Sequence, residues 1–139
     1  MRHIIVISHG TMAKGTCEAA RLICGDLKDV SYLCLENGMG ISTFKENLSN
    51  LLDDIKECDQ IIVLCDLKGG SPYSTVLALL YEKKLFDKSK VITGLNLPML
   101  LTIIFIKGEL DAKKEEELIN TSKDGISIFK MTDNEEDIL

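Results

Sequence analysis

Short, unbroken aliphatic runs alternate along this chain with longer stretches whose apolar residues recur every three or four positions. The runs are Ile4-Ile5-Val6-Ile7, Val30-Ser31-Tyr32-Leu33-Cys34-Leu35, Ile61-Ile62-Val63-Leu64-Cys65 and Val91-Ile92-Thr93. Continuous apolar runs of this length, rich in β-branched residues, read as strands buried on both faces, the habit of a parallel sheet. Between the first two, Met12 to Cys24 carries Ala13, Cys17, Ala20, Leu22 and Ile23 at helical spacing and stops at Gly25. A second helix, capped by Ser42 or Thr43 and running to about Glu57, lines up Phe44, Leu48, Leu51, Leu52 and Ile55. Ser71 before Pro72 predicts a third helix to about Lys84, with Ser71 as N-cap and Pro72 at the first helical position. Leu95-Asn96-Leu97-Pro98 repeats the device ahead of a helix from Met99 to Ile106 that is apolar almost all round and needs cover on every side. Asp111 to Lys123 predicts a charged helix, and Ile126 to Met131 a last strand. Thr132 to Leu139 is a short acidic tail, expected to be loose. This alternation predicts an α/β fold: one domain whose mainly parallel four-stranded sheet is flanked by helices on right-handed crossovers.

Composition narrows the partners. The 139 residues suit one domain, and 45% hydrophobic with 5% aromatic content and no Trp points to aliphatic packing rather than a stacking platform. A net charge of −6 and a pI near 4.9 argue against nucleic acid or anionic membrane, both of which demand a basic footprint. Cys17, Cys24, Cys34, Cys58 and Cys65 are odd in number and form no Cys-x-x-Cys pair, so neither a disulfide framework nor a zinc site is expected. Cys34 and Cys65, inside apolar runs, read as small core hydrophobes. Free thiols, no signal peptide and a longest apolar run of about half a membrane span predict a soluble cytoplasmic protein.

Chemistry gathers where the strands end. Ser8-His9-Gly10-Thr11 follows the first strand, Asp66 to Ser71 the third, and Gly94 to Asn96 the fourth. Open α/β sheets bind ligands at the carboxyl ends of their strands, and the first and third strands are commonly neighbours. His9 and Asp66 would then face each other across a crevice. A carboxylate accepting from one ring N–H fixes the imidazole tautomer and aims the other nitrogen's lone pair outward, which makes a nucleophile or a general base. Gly69-Gly70-Ser71-Pro72 adds a close backbone approach and the free N–H groups of a helix start, which favour an anion such as phosphate. The candidate chemistry is a phosphohistidine on His9 oriented by Asp66, with Gly10, Thr11, Gly69, Gly70 and Ser71 as phosphate-binding residues and no metal or organic cofactor.

Ile7-Ser8-His9-Gly10, then Ala13-Lys14-Gly15, then Asp66-Leu67-Lys68-Gly69-Gly70-Ser71-Pro72, then Gly94-Leu95-Asn96-Leu97-Pro98-Met99-Leu100 resembles a known pattern. It is that of the enzyme IIA component of the mannose family in the bacterial phosphoenolpyruvate-dependent sugar phosphotransferase system. The resemblance covers about residues 1–131 and implies one phosphotransfer domain there, with 132–139 as tail. It implies a phosphocarrier that takes a phosphoryl group from phospho-HPr on His9 and passes it to a IIB component during sugar uptake, with Asp66 as the imidazole's partner. It also implies a homodimer that exchanges the strand Ile126 to Met131, and indirect association with the membrane permease. One departure is visible: family members often carry an aromatic residue where this chain has Lys68.

Rival readings lack their required residues. An Arg-His-Gly phosphatase grips phosphate with several arginines, whereas this chain has only Arg2 and Arg21. A receiver domain phosphorylated on Asp66 needs acidic magnesium ligands after the first strand, and a dinucleotide-binding module needs Gly-x-Gly-x-x-Gly there. A regulatory phosphohistidine module and the phosphotransfer subunit of dihydroxyacetone kinase stay open as alternatives, the second disfavoured by the Gly69-Gly70-Ser71-Pro72 block. His3 is assigned no role, and Cys65 reads as core rather than as thiolate.

Overall fold

The protein, seen in a computed structural model that describes residues 1–131, builds one parallel sheet of four strands. These are β1 (Arg2–His9), β2 (Val30–Leu35), β3 (Gln60–Cys65) and β4 (Ser89–Thr93), in the order β2-β1-β3-β4. The aliphatic runs occupy the centre: Ile5, Val6 and Ile7 of β1 and all of Ile61 to Cys65 in β3 are fully buried. Register places Ile7 of β1 beside Cys65, the last residue of β3, so β1 runs two residues further, to His9.

Helices α1 (Met12–Cys24), α2 (Ile41–Ile55), α3 (Ser71–Glu82), α4 (Leu97–Phe105) and α5 (Ala112–Asp124) complete the described elements, with a short 3-10 turn at Phe86–Lys88. Alternate β1 side chains feed two cores. Ile4 and Val6 pack with α1, α4 and α5, while Ile5 and Ile7 pack with α2 and α3. The result is the expected three-layer α/β arrangement.

Two sequence expectations are corrected. Helix α2 starts at Ile41 with Gly40 in extended conformation as its N-cap, ahead of Ser42 and Thr43. Helix α3 takes Gly70 as N-cap, which moves Ser71 into the first helical position and Pro72 into the second. Both caps need only an extended backbone with a free carbonyl, which glycine supplies as readily as serine. The C-terminal strand, expected to be exchanged in a dimer, is not formed within a single chain. Ile126 to Phe129 forms no strand among the described residues; Ile126, Ile128, Phe129 and Met131 are 56% to 82% exposed. Helix α4 is also incompletely covered, with Phe105 exposed beside buried Met99, Leu100 and Ile103. The acidic tail lies outside the described residues.

Two polar contacts lock the end of the sheet where the strands begin. Arg2 donates to the carbonyls of Ile103 (2.9 Å), Ile106 (2.6 Å) and Gly108 (2.8 Å), meeting carbonyls in the last turn of α4 and just beyond it. Gln60, buried at the start of β3, accepts from the Leu110 N–H (2.8 Å) and donates to the Leu110 carbonyl (3.2 Å). Leu110 is itself fully buried, so no solvent replaces these bonds. Gln60→Ala is expected to lower the unfolding free energy by roughly 2–4 kcal/mol in urea titration, because two buried backbone groups lose their partners; a loss below about 1 kcal/mol contradicts that role.

Candidate functional site

Because β1 and β3 are adjacent and β1 runs two residues past the end of β3, His9 comes beside the turn that follows β3. His9 closes β1 and Asp66 follows β3, across the point where the chain's order reverses between β1 and β3. One oxygen of Asp66, Oδ2, accepts twice from His9: from the backbone N–H at 2.9 Å and from ring Nδ1 at 2.8 Å. The Asp66 side chain is 12% exposed and that of His9 45%, so the carboxylate lies beneath a ring that reaches solvent. Since a carboxylate only accepts, the N–H belongs on Nδ1 and the lone pair on Nε2. The second oxygen, Oδ1, is buried and has no donor among the described residues.

Both flanks hold the ring. Ser8 is fully buried and its Oγ accepts from the Ala13 N–H (2.7 Å), tying the His9-Gly10-Thr11 turn to the first turn of α1. Gly10, at φ +56°, sends its N–H to the Leu35 carbonyl (2.8 Å), so that amide is engaged within the sheet edge. On the other flank, a Cβ at Gly70 would fall 2.6 Å from Cε1 and 3.3 Å from Nε2 of His9. Glycine is required there so that backbone can lie against the imidazole.

The Leu67-to-Gly70 turn closes through Gly70 N–H to the Leu67 carbonyl (3.2 Å), with Gly69 at φ +84°. Gly70 thus contributes space rather than a donor. Ser71 and Tyr73, in the first turn of α3, have N–H groups without acceptors among the described residues, and Pro72 has none to offer. Thr11 stands exposed at the N-cap of α1, with its side chain making no cap bond.

Several neighbours are occupied elsewhere. Asn96 caps α4 by accepting from Met99 N–H (2.8 Å) and donates to the Ser122 carbonyl (2.8 Å), so the loop after β4 serves packing. Arg2 opens β1, about 23 Å along the strand from His9, and Arg21 lies in the last turn of α1. Neither arginine is placed to grip a phosphate at His9. His3 shares a 2.8 Å hydrogen bond with Ser31 Oγ, and burial depresses its pKa despite the opposing charge of Asp29. Cys65 is fully buried, its thiol pushed up to about 12 by burial and by the neighbouring Asp66 charge. It is core, not nucleophile.

Fold and site together define a class: a parallel α/β domain presenting a carboxylate-held imidazole beside a helix N-terminus at the ligand-binding edge of its sheet. The family described as "PTS system fructose IIA component" (EIIA-man) matches residues 3–123, and the chain belongs to it. Its members are phosphotransferase components of sugar uptake. The chain is 28% identical over 123 residues to the "PTS system fructose-specific EIIA component" of Bacillus subtilis (strain 168), covering 88% of this chain and 80% of that one. Among solved structures it is similar to phosphotransferase system component EIIA from Streptococcus agalactiae, at 30% identity and a TM-score of 0.80 over 93% of this chain and 98% of that one. The mannose/sorbose IIA subunit from Enterococcus faecalis shares the fold at a TM-score of 0.83 and 23% identity, over 96% and 98% of the two chains.

Gly70→Ala tests the fit around the ring. The added methyl is expected to push His9 away from Asp66, at about 1–3 kcal/mol of overpacking, and to abolish the hydrogen-bonded Nδ1–H resonance in 15N NMR. An unchanged imidazole spectrum would show that the turn yields instead.

Proposed function

We propose that the protein is a cytoplasmic phosphocarrier that accepts a phosphoryl group from phospho-HPr on Nε2 of His9 and donates it to a IIB component, in indirect association with the membrane permease. The observation that carries this reading is the 2.8 Å Nδ1 contact with Asp66, which leaves Nε2 as the free nucleophilic nitrogen of a half-exposed ring. In the first step the Nε2 lone pair attacks phosphorus in line. The P–N bond to the HPr histidine breaks, and its electron pair returns to that imidazole. Positive charge then develops on the His9 ring. Asp66 meets it directly through Oδ2, while its buried Oδ1 has no donor among the described residues. The second step repeats the exchange with a IIB nucleophile.

Gly10, Thr11, Gly69, Gly70 and Ser71 form the phosphoryl site in unequal ways. The Ser71 amide and hydroxyl, joined by the Tyr73 amide, are the donors at the start of α3. Gly70 makes room, Gly69 supplies the positive φ of the turn, and Gly10 and Thr11, in the turn after β1, complete the site. Incubation with phosphoenolpyruvate, enzyme I and HPr is expected to give an acid-labile phosphate that peptide mass analysis assigns to His9 and that His9→Ala loses. Asp66→Asn is expected to slow transfer roughly 10²-fold with the fold intact. Phosphate elsewhere, or equal transfer by Asp66→Asn, refutes these roles.

The phosphotransfer domain runs over 1–131 and works as a homodimer. Among the described residues strand β4 pairs only with β3, leaving its other edge open beside a groove of about 510 Å³ lined by Tyr73, Leu77, Phe86, Ile92 and Ile119. An exchanged Ile126-to-Met131 strand would bury its four exposed apolar side chains and pair the β4 backbone. Sedimentation is expected at twice the 15.4 kDa chain mass, with Ile128→Glu plus Phe129→Glu shifting the protein toward monomer. A monomeric parent protein refutes strand exchange.

A further inference from the structure

We propose that the Lys68 ammonium group binds the phosphoryl group carried on His9 and is its principal cationic ligand, an inference that rests on the reading of His9 as phosphoryl carrier. The Gly70 N–H bond to the Leu67 carbonyl, with positive φ at Gly69, makes Leu67 to Gly70 a β-turn of the type II kind and puts Lys68 at its first corner. A turn holds its first and fourth Cα atoms within about 7 Å. Its last residue, Gly70, lies against Nε2, the nitrogen that the phosphoryl group would leave from. A flexible four-carbon stem starting at that corner reaches a phosphoryl oxygen.

Charge makes the case specific. A phosphoryl group on Nε2 brings negative charge beside Asp66, in a protein of net charge −6. Both arginines stand at the far end of the sheet. Lys45, Lys83 and Lys90 are held by Glu82, Asp53 and Glu115, and Lys88 and Lys114 by backbone carbonyls. Lys68 is exposed and makes no hydrogen bond or ion pair among the described residues. Lys14, in the first turn of α1, is the other lysine near this edge and serves as the control for the general field.

The test uses the full chain loaded chemically with phosphoramidate, the phosphohistidine signal in 31P NMR being assigned by its loss in His9→Ala. A bound ammonium favours the dianion over the monoanion, so Lys68→Ala is expected to raise the phosphoryl titration midpoint by about half a pH unit. Lys68→Glu should raise it further, Lys68→Arg should restore it, and Lys14→Ala should move it less. The same weakening is expected to shift the phosphoryl equilibrium with HPr roughly threefold toward HPr. Identical midpoints in the parent protein, Lys68→Ala and Lys68→Glu, or equal shifts from Lys14→Ala and Lys68→Ala, overturn the assignment. If phosphoramidate loads His9 while phospho-HPr does not, the relay reading fails, and the NMR comparison still decides the role of Lys68.

Discussion

A single carboxylate oxygen fixes the geometry of this protein's site. Asp66 Oδ2 accepts from both the backbone and the ring of His9, so it holds the end of β1 as well as the imidazole. The backbone bond sets where the residue sits, and the ring bond sets which nitrogen faces out. Neither is possible unless β1 and β3 are neighbours in a register that brings His9 beside the end of β3, and that in turn requires two central strands buried on both faces. The aliphatic core is thus a precondition for the tautomer of one histidine.

Around that contact the chain assigns its glycines and small polar residues to separate tasks. Ser8 faces inward and ties the turn to α1, Gly10 extends the pairing with β2, and Gly70 lets α3 start against the ring. What remains free at the edge is the start of α3 and the two exposed lysines near it. At the opposite end of the sheet Arg2 and Gln60 tie backbone carbonyls and the Leu110 amide.

Much of this was legible in the sequence, for identifiable reasons. Unbroken β-branched runs announce buried strands, and from strand order alone His9 and Asp66 could be paired. The functions of Gly10 and Gly70 were not legible, because whether an amide faces a ligand or a neighbouring carbonyl depends on register and turn type rather than on residue identity. Gln60 and Arg2 were missed for a related cause. Their partners lie 50 and more than 100 positions away, a separation to which no periodicity points. The stretch from Ile126 to Lys130 has strand composition without strand structure within this chain, because composition records a wish for burial and not the surface that satisfies it.

Cys65 carries one more consequence. A thiol joined by one peptide bond to the residue that orients the imidazole would, if ionised, offer peroxide a direct route to the site. Its full burial and a pKa of about 12 leave almost no thiolate at neutral pH, and Asp66 itself helps to suppress it. The charge that prepares the histidine therefore also adds to burial in keeping the neighbouring sulfur protonated, which leaves Cys65 a packing residue beside the carboxylate–imidazole pair.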